Sequence, residues 1–152
     1  MKKKVAIAGL LSLALVLSGC GTTQTTAAAD TSGVWQAVMS GGAGEASALS
    51  FVTNFSVNGD GTLNISSFNF LNVNSCFASG GTESGTANVT TDVNNVVTGT
   101  VTYVVQSGSP AGNTLTLTGT EDDTTITGTW VLTESGGSTG CSGAGDFTMT
   151  RH

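Results

Sequence analysis

The sequence predicts an all-β fold, a single antiparallel up-and-down barrel of about eight strands, with a two-sheet β-sandwich as the alternative. Three observations predict it. From Val34 onward, apolar residues recur with period two and never at helical spacing. The 152 residues include 22 glycines and one proline, and clusters of Gly, Ser and Asn punctuate the apolar segments. Only 9% of residues are charged, against about 25% in an average soluble domain. A sheet so poor in charge invites edge-to-edge aggregation, and closure removes the edges.

The N-terminus is a different object from the rest. Lys2, Lys3 and Lys4 form a basic segment, residues 5–16 an apolar one, and small residues follow, which is the layout of a secretory signal. The apolar run is shorter than the roughly 20 residues a transmembrane helix needs. It ends in Leu17-Ser18-Gly19-Cys20, which resembles the lipobox of bacterial lipoproteins. The resemblance implies removal of residues 1–19 as a signal peptide, diacylglycerol on the Cys20 sulfur, and an exported chain held to the cell envelope through acylated Cys20. Gly21 stands where an aspartate would resemble the inner-membrane retention signal, which points to the outer membrane. Residues 20–32, rich in Thr and Ala and without periodicity, read as the lipidated cysteine and a flexible tether. Stretched, the tether reaches about 40 Å. Residues 33–152 are the expected barrel domain.

The period-two test places strands at about 34–40, 47–57, 62–71, 85–92, 97–105, 114–120, 125–132 and 146–150. The second is the clearest, with Leu49, Phe51, Thr53, Phe55 and Val57 on one face and Ser50, Val52, Asn54, Ser56 and Asn58 on the other. In the third, Leu63 and Ile65 have odd parity but Phe68 and Phe70 even parity, so a bulge is expected near Ser66 and Ser67. Val57 and Leu63 share a face if residues 59–61 form a three-residue loop with Gly61 left-handed. Val93 and Val97 match likewise across 94–96. Leu115 and Leu117 match Ile126, Trp130 and Leu132 across an even loop, which residues 121–124 supply. Pro110 falls between the fifth and sixth strands, where it costs no ladder hydrogen bond. The tight connections lie at one end of such a meander and the long Ser- and Gly-rich ones at the other. Eight strands so connected resemble a lipocalin barrel. Outward residues such as Thr86, Asn88, Thr90 and Asp92 are too polar for a lipid-facing band.

With Cys20 lipidated, Cys76 and Cys141 remain, in a compartment where disulfides persist. They fall in the third-to-fourth and seventh-to-eighth connections, at the same end of the meander, so a bridge is sterically open to them and favours closure. The competing metal reading lacks ligands: there is no CxxC spacing and the one histidine, His152, is terminal. The Thr/Gly-rich strands, with a Cys-Phe loop and a late Cys-Ser-Gly loop, resemble those of uncharacterised bacterial lipoproteins. That likeness implies no activity.

Charge and residue inventory narrow the function. Beyond residue 19 one arginine stands against ten carboxylates, a formal charge of −9 with His152 neutral, which disfavours nucleic acid. His152 is expected to fray, leaving no Ser-His or Cys-His nucleophile. The acids fall mostly in turns or on outward positions rather than in facing pairs, and no Gly-rich run leads into a helix. A non-catalytic protein without cofactor is expected. Glu121, Asp122 and Asp123 are either calcium ligands or turn acids that keep the surface soluble. Trp35, Phe51, Phe55, Tyr103 and Trp130, with Phe68, Phe70 and Phe147, line a ligand pocket or fill the core. Two readings follow: an envelope lipoprotein of structural or protein-interaction type, or a lipocalin-like binding module for a small apolar ligand or glycan. In either, the acidic tight turns face the membrane and the loops at 74–84 and 134–144 face away.

Overall fold

Alternating Thr, Val and aromatic residues build eight antiparallel strands: β1 Gly33–Ser40, β2 Ser50–Val57, β3 Leu63–Phe70, β4 Gly81–Thr91, β5 Val97–Ser107, β6 Thr114–Asp122, β7 Thr125–Thr133 and β8 Gly143–Arg151. A 3-10 turn, Ser75–Phe77, sits between β3 and β4. The computed structural model describes residues 31–41, 49–72, 75–77, 81–91, 96–107, 112–135 and 140–152. The segments expected as signal peptide and as tether up to residue 30, Cys20 among them, and residues 47–48, Asp92, 94–95 and Pro110 lie outside the described residues.

The strands form one sheet in the order β3-β2-β1-β8-β7-β6-β5-β4. The first and last strands lie side by side from Trp35↔Arg151 to Ser40↔Asp146, so the meander curls round to bring β3 against β4. The join there is slight. It consists of the bridge Thr62↔Thr86 and a hydrogen bond from the Ala87 amide to the Gly61 carbonyl, 2.7 Å. The barrel is therefore nearly closed, with a seam between β3 and β4.

The expected bulge is present: Asn54 pairs with Ser67 but Phe55 with Ile65, leaving Ser66 as the extra residue. It moves Phe68 and Phe70 onto the face that Leu63 and Ile65 occupy. The β2–β3 loop is residues 59–61, closed by Asn58 N to Thr62 O at 2.9 Å, with Gly61 at φ 84°. Two turns depart from expectation. Val97 pairs with Thr91 rather than Val93; a slip of two residues leaves every side chain on its face, so parity could not see it. Asp122 pairs with Thr125, so the β6–β7 loop is Asp123-Thr124 and not 121–124. Asp123, at φ 54°, takes the left-handed conformation that a two-residue hairpin loop requires and that Asp tolerates.

β4 begins at Gly81, four residues before expected, because Gly81–Ser84 keep pairing with β5 although Gly, Thr and Ser there offer no apolar signal. The inner face is filled by Trp35, Phe51, Phe55, Tyr103, Leu115, Leu117, Trp130 and Met149, all buried. Outside, threonines stand beside threonines across the sheet, as in Thr102↔Thr118↔Thr129 and Thr100↔Thr120↔Thr127↔Thr148. These β-branched hydroxyl residues suit a pleated surface and hydrate it without charge.

Candidate functional site

The Cys76–Cys141 disulfide, with Cα atoms 5.5 Å apart, ties the β3–β4 and β7–β8 connections at the end opposite the tight turns. Asn113 works beside it. Its buried side chain donates to the Cys76 carbonyl at 3.0 Å and accepts from the Ser135 amide at 3.1 Å. Its own amide donates to Ser107 Oγ at 2.7 Å. One asparagine thus joins three connections, fixing the 3-10 turn and with it Phe77. Sequence patterning passes over such a residue, because nothing local distinguishes it from a loop asparagine.

Two clefts open along the seam. Leu63 and Gly85 lie between them; a Cβ on Gly85 would come within 2.4 Å of the Thr102 carbonyl oxygen and 2.6 Å of Leu63 Cδ1, so the strand is bare there and the leucine packs against its backbone. The cleft at the tight-turn end, about 430 Å³, runs along residues 57–61 of the turn and 86–89 of β4. Its one carboxylate, Asp60, accepts from the Thr62 amide at 2.9 Å and hydroxyl at 2.6 Å. Those bonds hold it below the usual carboxylate range and satisfy it within the turn.

The second cleft, about 250 Å³, lies at the disulfide end. Phe68 and Phe70 reach it from β3, Phe77 from the 3-10 turn, Glu83 from β4 and Val105 from β5. Phe70 is 4.9 Å from Phe68, edge to face, and 5.0 Å from Phe77. Glu83 shares the half-buried face of β4 with Gly85, Ala87 and Val89, while Thr82, Ser84 and Thr86 are exposed. Burial pushes its carboxyl up. Behind this wall Tyr103 stacks on Phe51 and Phe68, and its hydroxyl lies 2.7 Å from Thr53 Oγ1. The Thr53 hydroxyl donates to the Ser67 carbonyl beside the bulge, so the Tyr103 phenol is the donor to Thr53. Desolvation raises the phenol well above its ordinary value.

The five aromatics expected at a pocket have another role. Trp35, Phe51, Phe55, Tyr103 and Trp130 are all at most 1% exposed and line neither cleft; they belong to the core. Of the wider aromatic set, Phe68 and Phe70 do reach a cleft. Phe77 and Glu83 were missed, since both fell in what read as a loop.

The three acids expected as a possible calcium site are not brought together. Glu121 is fully buried on the inner face, Asp122 is outward and exposed, and Asp123 is in the turn. Glu121 fails as a turn acid for the same reason: the loop is two residues long, which returns it to the strand opposite Ile126. Among the described residues, no group of three or more His, Cys, Asp and Glu is placed to hold a metal. His152 is tied down rather than frayed, its amide donating to the Val34 carbonyl at 2.9 Å and its ring 2.9 Å from Gln36 Oε1.

Compared with known proteins, the chain matches no family model, no curated sequence and no solved structure at a significant level.

Proposed function

We propose that this chain is a non-catalytic binding module of a bacterial envelope, anchored to the outer membrane through acylated Cys20 and presenting the disulfide end of its barrel to a small ligand. The observation that carries the reading is the aromatic cleft at that end, open to solvent where the seam leaves β3 and β4 unpaired. The described chain enters at Thr31, whose carbonyl accepts from Trp35 Nε1 at 2.9 Å, and this entry lies at the opposite, tight-turn end. A tether leaving from there turns the cleft away from the bilayer.

The burial of the large aromatics favours a second reading. A barrel whose interior holds Trp35, Phe51, Phe55, Tyr103 and Trp130 as core suits a structural or protein-interaction lipoprotein, whose partner would meet the long connections. One preparation separates the two. Protein purified in detergent from its own host and weighed by native mass spectrometry is expected to retain a small molecule. A bare chain, or one that co-purifies only with another polypeptide, would overturn the ligand reading. The anchor is tested by Cys20→Ala, which is expected to leave the membrane fraction or to accumulate unprocessed. Two or three acyl chains, at about 0.8 kcal/mol per buried methylene, anchor durably; unchanged processing and membrane association in the variant would sink the lipoprotein assignment.

A further inference from the structure

The ligand class can be argued from the cleft itself, on the condition that the chain is a binding module. We propose that the cleft formed by Phe68, Phe70, Phe77 and Glu83 receives a quaternary ammonium group.

The charge balance of the domain is the first argument. Beyond Lys4 the sequence holds one lysine or arginine, Arg151, and one histidine, His152, whose ring lies 2.9 Å from Gln36 Oε1. That guanidinium is engaged elsewhere, 3.4 Å from Glu121 Oε1 and 4.8 Å over the Trp35 ring. Glu83 is on the inner face of β4, half-buried against phenylalanines, and a carboxylate in such surroundings is costly unless paired. Among the described residues no ion pair reaches it and Arg151 is paired with Glu121, so a cation that enters the cleft would be its complement.

The wall selects among cations. Phe68 and Phe70 meet at 89° and Phe70 and Phe77 at 34°, so three rings packed on one another at different angles line the cleft. Aromatic faces attract cations. A primary ammonium brings three N–H donors and a guanidinium five, and among the described lining residues the side-chain acceptors are the Glu83 carboxylate and the rim amide of Asn69, the rest being Phe68, Phe70, Phe77, Val105 and the backbone of Gly81. A donor turned toward the three phenylalanine rings would lose its water without gaining a bond. A quaternary ammonium has no N–H to satisfy, is weakly hydrated, and places methyl groups against the rings.

The test uses the full chain in detergent, with choline chloride as the probe and 3,3-dimethylbutan-1-ol, its neutral isostere, as the control, both followed by titration calorimetry. Choline is expected to bind saturably and the isostere at least tenfold more weakly. Glu83→Gln should weaken choline at least tenfold while leaving the isostere unchanged, and Phe77→Leu, which keeps apolar volume but removes the ring, should weaken choline similarly. Choline binding should also fade as pH drops through the raised Glu83 carboxyl. Dihexanoyl-phosphatidylcholine below its micellar concentration distinguishes the source: tighter binding than choline assigns a lipid headgroup, weaker binding a free amine. Equal affinity for choline and its isostere, or choline binding indifferent to Glu83→Gln, overturns the cation assignment and leaves a binding module for neutral ligands. Failure of both probes overturns it too, and the binding reading is then judged separately by what the host-purified protein retains.

Discussion

Arg151 Nη2 stands 3.4 Å from Glu121 Oε1, joining the last strand to the inner face of β6. The guanidinium lies over Trp35, the residue with which Arg151 pairs across the β1–β8 junction. Glu121 is fully buried and Arg151 about a quarter exposed. The one arginine of the sequence therefore stands against an interior carboxylate at the place where the sheet curls onto itself. Removing the cation alone strands a buried charge, which is far worse than lacking the pair. Arg151→Met is expected to lose about 3 kcal/mol of stability, read from urea unfolding midpoints. A change below about 1 kcal/mol would mean that the pair is solvated.

The same pair makes stability depend on pH. Burial pushes the Glu121 carboxyl up, against the pull of Thr31 and Arg151, so the folded state holds the proton more tightly than the unfolded chain. The contribution is then fully present below the ordinary carboxyl value and is lost as pH rises through the raised folded value. Glu83 acts with the same sign and exposed Asp60 with the opposite one. Glu121→Gln should flatten the decline in melting temperature on going from acid to neutral pH. Parallel profiles for wild type and variant would refute this account.

For the bridge, the oxidised protein should show no reactive thiol from Cys76 or Cys141, and reduction should lower its melting temperature. Closing 65 residues of sequence separation stabilises by about 4 kcal/mol on the chain-entropy account. Thiol titration under denaturing conditions, before and after reduction, gives the count.

Asn113→Ala leaves both cysteines in place but unbinds the Cys76 carbonyl and the Ser135 amide. The expected cost is about 2–3 kcal/mol, the penalty for buried groups left unpaired, with faster hydrogen exchange at the Ser135 amide. Unaltered exchange there would show that the loops hold together without it.

Gly61 closes the β2–β3 turn at φ 84°, and a Cβ there would approach the Ala87 carbonyl to 2.9 Å. Gly61→Ala should therefore cost about 1–3 kcal/mol and loosen the seam, seen as faster exchange of the Ala87 amide that bonds Gly61 O. A protected Ala87 amide in the variant would mean the seam is held by other contacts.

Orientation is tested with whatever ligand or partner is found. Substitutions within 74–84 or 134–144 should weaken it, whereas Asp122→Asn and Asp123→Asn should not. The reverse result would place the binding surface at the tight-turn end.

Eight strands, the Ser66 bulge, the Gly61 turn and the placing of both cysteines at one end were legible because each depends on local rules: side-chain alternation, the parity change between Ile65 and Phe68, and the backbone freedom of glycine. Glu83 was not legible. Its inward position follows from the pairing of Gly81–Ser84 with β5, and a stretch of Gly, Thr, Glu and Ser carries no alternation of hydrophobicity to announce a strand. Glu121 was misjudged for a related reason: four-residue and two-residue loops both preserve parity, and they differ in whether that carboxylate is exposed or enclosed.

By itself, then, the sequence determined the all-β meander, its faces and its two unlike ends, since period-two patterning and turn chemistry act over a few residues. The tertiary structure alone decided that β1 lies against β8, that closure stops short at β3 and β4, that the large aromatics fill the interior, and that Phe68, Phe70, Phe77 and Glu83 converge. Those outcomes depend on how the whole sheet twists, staggers and fills its volume, and on bringing together residues up to 15 positions apart across an unpaired seam, quantities that no local pattern encodes.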